Sequence, residues 1–200
     1  MLKEPTLSNE IWDPAETLSR PELEALQVAR LRDTVARVQN VPFYRKRFRE
    51  LGITPDAIRS LSDIRRLPFT TKADLREGYP LDFLAVPREQ IARIHGSSGT
   101  TGKPTFVAYT FNDLQTWANL CARFLVAGGL RPHHLVQIAF GYGLFTGGFG
   151  LHAGVEKVGA GIVPAASGNT PRQVMLLRDL LPDVLICTPS YALNIAEVAE

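Results

Sequence analysis

The run His95-Gly96-Ser97-Ser98-Gly99-Thr100-Thr101-Gly102-Lys103-Pro104-Thr105 concentrates the groups that hold phosphate. Its glycines let the backbone curl and bring N–H groups against an anion. Ser97, Ser98, Thr100 and Thr101 add hydroxyl donors, and Lys103 adds a positive charge. A Walker-type loop reads G-x-x-x-x-G-K-[ST] between a strand and a helix. Here five residues separate Gly96 from Gly102, and Pro104 stands where a magnesium-binding hydroxyl would be. The TFVAYT stretch that follows is β-branched, aromatic and alternating, which predicts a strand and not a helix. No helix N-terminus is then aimed at the anion, which must be wrapped by a loop between two strands. The candidate phosphate-binding set is Ser97, Ser98, Gly99, Thr100, Thr101, Gly102 and Lys103. A flexible Gly/Ser/Thr linker is the plainer reading. Four hydroxyls and a lysine flanked by two good strands argue against it.

A second cluster, Gly141-Tyr142-Gly143-Leu144-Phe145-Thr146-Gly147-Gly148, follows a predicted strand and invites a dinucleotide-binding reading. Thr146 replaces the third glycine of G-x-G-x-x-G, and the next strand, Ile162 to Pro164, ends without an acidic residue for a ribose. Two readings stay open. Gly147 and Gly148 clear space for an acyl substrate while Tyr142 and Phe145 offer aromatic faces, or the glycines serve close backbone packing. Other signals are weaker. Arg45, Lys46, Arg47 and Arg49 alternate with Phe43, Tyr44 and Phe48, a pattern that suits a solvated helix face with aromatics turned inward better than an RNA or coenzyme A phosphate site. His133-His134 has no second ligand pair at metal spacing. His95 differs only by its place before the loop, where a structural role is at least as good a reading as catalysis. No G-x-S-x-G elbow supports a serine hydrolase.

The elements that must position these residues are legible in outline. Residues 1 to about 18 read as an extended arm. Ser19-Arg20-Pro21-Glu22 is a capping box, and Leu23, Leu26, Leu31, Val35 and Val38 predict a helix to about Asn40. Phe43 to Leu51 predicts a second helix stopped by Gly52. From Gln90 the pattern changes. Strands are predicted at Ile91–His95, Thr105–Tyr109, Leu135–Phe140, Ile162–Pro164 and Val184–Cys187. Between them lie a helix capped by Thr110 and Asp113, with Leu114, Trp117, Cys121, Phe124 and Leu125 on its apolar face, one near Leu151 to Val158, and one opened by Thr170-Pro171-Arg172-Gln173. Thr188-Pro189 starts a last helix. This alternation predicts an α/β fold with a mostly parallel sheet. The expected organisation is a helical N-terminal segment over 1–89 and an α/β subdomain over 90–200.

Composition bounds the function classes. The chain has 200 residues, 45% of them hydrophobic, and a formal net charge of +2. The near balance of charge does not suggest a nucleic-acid or membrane-surface protein. Cys121 and Cys187 are isolated, which points to a reducing cytoplasm and not to a disulfide framework or metal site. The N-terminal residues show no signal-peptide pattern, and no apolar run reaches the length of a membrane span.

SSGTTGKPT resembles the phosphate-binding loop of the adenylate-forming superfamily. NVPFYRKRF, LPFTTKADLREGYP, GYGLFTGGFG and TPSYAL narrow the resemblance, over about residues 10–200, to the phenylacetate–coenzyme A ligase family. It implies the first part of a large parallel-sheet domain in an enzyme that uses ATP, Mg²⁺ and coenzyme A to convert an aromatic carboxylic acid, phenylacetate first, to its thioester. The Gly141–Gly148 block would line the acid site. Small-molecule substrates are implied, with no nucleic acid or membrane, and a homodimer is allowed. The main catalytic lysine, the ribose aspartate and an acidic magnesium motif are expected beyond residue 200, so the chain alone is expected to be inactive and prone to associate through an unfinished sheet edge. The alternatives are a relative with another acid or acceptor, such as a deazaflavin or a polysaccharide precursor, a P-loop NTPase, which Pro104 argues against, and a non-catalytic nucleotide-binding or dimerisation module.

Overall fold

The computed structural model describes residues 11–97 and 103–200 and divides them into two compact units. One runs Thr17–Phe111, and the other is Asn112–Glu200 with the segment that ends at Glu16.

In the first unit, α1 (Arg20–Val38) opens on the capping box, where the Ser19 N–H donates to Glu22 Oε2 at 2.8 Å. Pro21 occupies the first turn, where its missing N–H costs no helical bond. Val35 faces inward with Phe48 of α2 (Pro42–Glu50), Ile53 and Ile58, and Leu31, Val38, Tyr44 and Leu67 pack around them. The basic cluster on α2 is structural in the main. Phe48 is buried, and the Phe43 and Tyr44 rings lie 5.0 and 5.9 Å from Phe83. Arg47 covers the Phe43 ring at 4.0 Å and donates to the Phe69 carbonyl at 2.8 Å and to Asp74 at 3.0 Å. The LPFTTK segment is thereby fastened to α2. That segment leads into α3 (Lys72–Glu77), capped by Thr71 and Asp74. Hydrogen bonds from Thr71, the backbone N–H first, hold the Asp74 carboxyl below the usual carboxylate range. The cap is therefore intact above the unfolded carboxylate pKa and weakens as pH falls through the lowered value.

The unit ends in β1 (Arg93–Gly96) and β2 (Phe106–Tyr109), paired antiparallel with Gly96 opposite Phe106. These are the two strands predicted either side of the glycine loop. They form a hairpin of their own and do not join the parallel sheet, because hydrophobic alternation marks a strand without specifying its partner.

In the second unit, β3 (Leu135–Ile138), β4 (Gly161–Val163) and β5 (Val184–Ile186) form a parallel sheet in the order β4-β3-β5. The helices are α4 (Phe111–Ala127), α5 (Gly147–Val158), α6 (Thr170–Leu180) and α7 (Pro189–Ala199). Strand alternation sends Val136 and Ile138 to one face, against Ala122 and Val126 of α4 and Val155 and Val158 of α5. Ala139 faces the other way, with Val174 of α6 and Ile195 of α7. The sheet is thus covered on both sides, as a parallel sheet requires. Trp12 joins the α4 face and donates to Asn119 Oδ1 at 2.8 Å.

Three expectations are corrected here. Phe124 is 53% exposed, and the buried stripe of α4 is Ala118, Cys121, Ala122 and Val126. The helix expected near Leu151 begins at Gly147, so Gly147 and Gly148 belong to its first turn and not to a loop. The cap of α6 is Asn169, whose side chain accepts from the Arg172 N–H at 3.2 Å, and not Thr170.

Candidate functional site

Of the phosphate-binding set, Ser98, Gly99, Thr100, Thr101 and Gly102 lie outside the described residues. Ser97 and Lys103 mark the two ends of the segment. The Ser97 N–H donates to the Thr105 carbonyl at 3.0 Å, and the Thr105 N–H donates to Ser97 Oγ at 2.9 Å. The hairpin is closed by this pair, in which Ser97 Oγ acts as acceptor and its hydroxyl keeps a donor proton for a further partner. Lys103 is exposed, with Nζ 4.8 Å from the centre of the Tyr79 ring, and Tyr79 packs on Phe106 at 5.5 Å. A cation over an aromatic face is attracted by the ring quadrupole, so Tyr79 restricts where the ammonium can reach. His95 is 2% exposed, with its ring edge-on to Tyr109 at 5.7 Å. That burial within β1 fits a structural role.

The second unit has a cleft of about 290 Å³ outside the carboxyl ends of its strands, lined by Ala139, Phe140 and Gly141 after β3, Ser167 and Gly168 after β4, and Thr188 and Tyr191 after β5. Ligands of open α/β sheets bind in this crevice. Phe140 and Tyr191 give apolar faces, and Ser167, Thr188 and Tyr191 give hydroxyls, the mixture expected of a small-molecule pocket. None of the four acid-site candidates is in the cleft lining, though Gly147 and Gly148 pack against Phe140 and Gly141, which are. Gly148 is fixed by packing, since a Cβ there would lie 2.6 Å from the Gly141 carbonyl oxygen, and one on Gly147 would lie 3.1 Å from the Phe140 ring. Close backbone approach of α5 to the 141–142 turn is therefore one role of these glycines. Tyr142 is half-buried, its hydroxyl 3.2 Å from His152 Nδ1 and its ring edge-on to Phe149. Burial first, and the Glu156 carboxylate second, push its phenol pKa up, so it stays protonated. Phe145 is 62% exposed.

Phe140, Ser167 and Thr188 were missed by motif reading. The available signal was their place just past the end of a predicted strand. The thiols of Cys121 and Cys187 are both raised by burial, which makes them poor nucleophiles at neutral pH. Among the described residues, no group of three or more His, Cys, Asp or Glu side chains converges to form a divalent-cation site, and no helix is long and apolar enough to cross a membrane.

A doubly covered parallel sheet with a cleft at its carboxyl edge, preceded by a hairpin whose strands flank a Gly/Ser/Thr/Lys segment, is the fold of the N-terminal portion of adenylate-forming coenzyme A ligases. The structure superposes on 2-hydroxyisobutyryl-CoA ligase, solved with its acyl-AMP and CoA in the thioesterification state, with a TM-score of 0.89 and 35% identity, covering 98% of this chain and 43% of that one. In sequence, the chain is homologous to the N-terminal part of the phenylacetate–coenzyme A ligases. It is 52% identical to the Escherichia coli protein over 195 residues and 55% identical to the Thermus thermophilus protein over 183 residues. It spans less than half the length of these relatives, 45% and 41% respectively. No protein-family model matches the chain.

Proposed function

We propose that the full-length protein is an ATP-dependent, AMP-forming ligase that converts an aromatic carboxylic acid, phenylacetate first, to its coenzyme A thioester. The observation that carries this reading is the identity of about half of all residues to phenylacetate–coenzyme A ligases over nearly the whole chain. In the first half-reaction the acid's carboxylate oxygen attacks the α-phosphate of ATP, pyrophosphate leaves and an acyl-adenylate remains. In the second, the coenzyme A sulfur attacks the acyl carbon, AMP leaves and the thiol proton is released. The first step brings two anions together. The loop's N–H groups and hydroxyls and the Lys103 charge oppose that repulsion, with Tyr79 limiting the reach of Lys103. The described residues do not supply a cage for the Mg²⁺ that accompanies ATP, so no step is assigned to it through this chain. In this reading the cleft beyond β3 and β5, lined by Phe140, Gly141 and Tyr191 among others, takes the acyl group, and Tyr142, Phe145, Gly147 and Gly148 are the proposed acid-site residues. The reading places the protein in the cytoplasm, at the entry to phenylacetate breakdown.

The test is thioester formation by the full-length protein across a panel of acids that includes phenylacetate, benzoate and 2-hydroxyisobutyrate. Phenylacetate is expected to give the highest kcat/KM. A preference for 2-hydroxyisobutyrate would instead support a related ligase of a compact aliphatic acid, a reading favoured by the small cleft and the structural likeness.

Two substitutions extend the test. Phe145→Ala is expected to raise KM for phenylacetate several-fold while KM for ATP stays within about twofold, since burial of one aromatic face is worth about 0.5–1.5 kcal/mol beyond area. An unchanged acid profile would remove Phe145 from the site. Tyr79→Leu is expected to raise KM for ATP by about two- to fivefold, the equivalent of an exposed cation–π contact of about 0.5–1 kcal/mol. Tyr79→Phe, which keeps the aromatic face, should match wild type. Equal effects from both would show that the ring is not what positions Lys103.

A further inference from the structure

Two glutamines are enclosed in the second unit where the strand and helix pattern calls for apolar side chains. Gln137, at the centre of the sheet on β3, and Gln173, on α6, are each 0% exposed. Gln137 Nε2 donates to Gln173 Oε1 at 2.7 Å and to the Gln173 carbonyl at 3.2 Å. Gln173 Nε2 in turn donates to the Ala166 carbonyl at 2.9 Å and the Gly168 carbonyl at 3.3 Å. The chain of bonds therefore runs from the middle of the sheet to the loop that joins β4 to α6.

That loop needs holding. Ala166 has φ of 60° and Asn169 of 50°, left-handed conformations that side-chain-bearing residues adopt at a cost, and Gly168 between them has φ of 81°. Such a backbone persists only where its surroundings fix it. Besides the two bonds from Gln173, the Tyr191 hydroxyl donates to the Gly168 carbonyl at 3.1 Å, and Arg172 Nη2 donates to the Ala165 carbonyl at 3.3 Å. Gly168, so held, and Ser167, which lies between the anchored Ala166 and Gly168 carbonyls, line the cleft, and Ser167 Oγ would sit 3.1 Å from a Cβ placed on Gly141, another lining residue. Stability does not account for the glutamine pair. Gln137 Oε1 has no hydrogen-bond partner among the described residues, and an orphaned buried acceptor is costly. Departures from local sequence rules of this kind concentrate where function requires them.

We propose that Gln173, seated on Gln137, is a positioning residue that fixes the 165–169 loop as a wall of the acyl cleft and so sets affinity for the acid. The proposal rests on the ligase reading above for the identity of the ligand. Neither glutamine is in the cleft lining, so both act through the loop and not by contact with substrate.

The experiment has two arms. The first measures amide hydrogen exchange of the 166–169 segment in the wild-type protein and in Gln173→Met, an apolar replacement of similar length. Exchange in that segment is expected to rise at least tenfold in the variant while α6 beyond Val174 is unchanged. Equal exchange in both proteins would overturn the proposal whatever the enzyme's substrate. The second arm measures kinetics in the full-length protein. Gln173→Met is expected to raise KM for the acid at least fivefold with KM for ATP within twofold, and Gln137→Met to do the same more weakly. A rise in both KM values together, or none in either, would overturn the proposal. If Gln173→Met fails to fold, Gln137→Met decides both arms, with at least a twofold rise in exchange of the 166–169 segment and in KM for the acid alone supporting the proposal and no change in either overturning it. Inactivity of the wild-type protein with every acid would count against the ligase reading alone, and the exchange arm would still decide the positioning role.

Discussion

If the proposed function holds, replacing Lys103 with alanine in the full-length protein is expected to lower kcat/KM for ATP in adenylate formation by roughly 10- to 100-fold, the equivalent of one charge-assisted hydrogen bond of about 1.5–3 kcal/mol. Lys103 ends the Gly/Ser/Thr segment just before β2 and is exposed to solvent with its ammonium over Tyr79. In that place the charge is open to solvent and the ammonium rests on the ring face. Lys103→Arg should recover only part of the loss, since the guanidinium fork is wider than the ammonium and meets phosphate with a different geometry. Acid-dependent pyrophosphate exchange is the measurement. Exchange within twofold of wild type in the alanine variant would mean that the lysine has no part in the step.

Replacing Gly154 with valine destabilises the protein by about 3 kcal/mol or more. Gly150 and Gly154 lie one turn apart on α5 and let it approach α4 until backbone and side chain touch. A Cβ at 154 would lie 2.5 Å from Cys121 Cβ and 3.0 Å from the Cys121 carbonyl carbon, and backbone atoms cannot swing aside. A Cβ at 150 would run into the Trp117 indole. For a 200-residue chain the loss corresponds to a fall in Tm of roughly 6–12 °C. Gly143→Ala is the control, since a Cβ there meets nothing within 4 Å. Its thermal unfolding should coincide with wild type. A Gly154→Val protein that melts with wild type would show that α4 and α5 are not in this contact.

Elements with local chemical signals were legible in the sequence. The Ser19–Glu22 box started α1 where expected, Gly52 ended α2, and Thr188-Pro189 opened α7. What depends on distant partners was not. The glycine-rich start of α5 reads as loop by propensity, yet it is helical because its backbone packs against the Gly141 carbonyl and α4. The antiparallel pairing of β1 with β2, apart from the parallel sheet, leaves no trace in alternation. Phe124 has the right spacing for the α4 stripe but the wrong side, because Ala118, Ala122 and Val126 set the contact with the sheet. At the candidate site, the hairpin flanking the Gly/Ser/Thr/Lys segment was readable from strand chemistry on both sides. The cleft was not, because its lining comes from two or three residues after each of three separate strands. Gln137 and Gln173 gave no signal, since a polar residue in a strand or helix reads as solvent-facing until the other face is known to be covered.

Whether the full-length protein activates phenylacetate is decided by acid-dependent ATP–pyrophosphate exchange, measured with phenylacetate and without any acid. Phenylacetate is expected to stimulate exchange at least a hundredfold over the acid-free rate, in the absence of coenzyme A. Exchange that ignores phenylacetate and every other aromatic acid, in a folded protein that binds ATP, would contradict it.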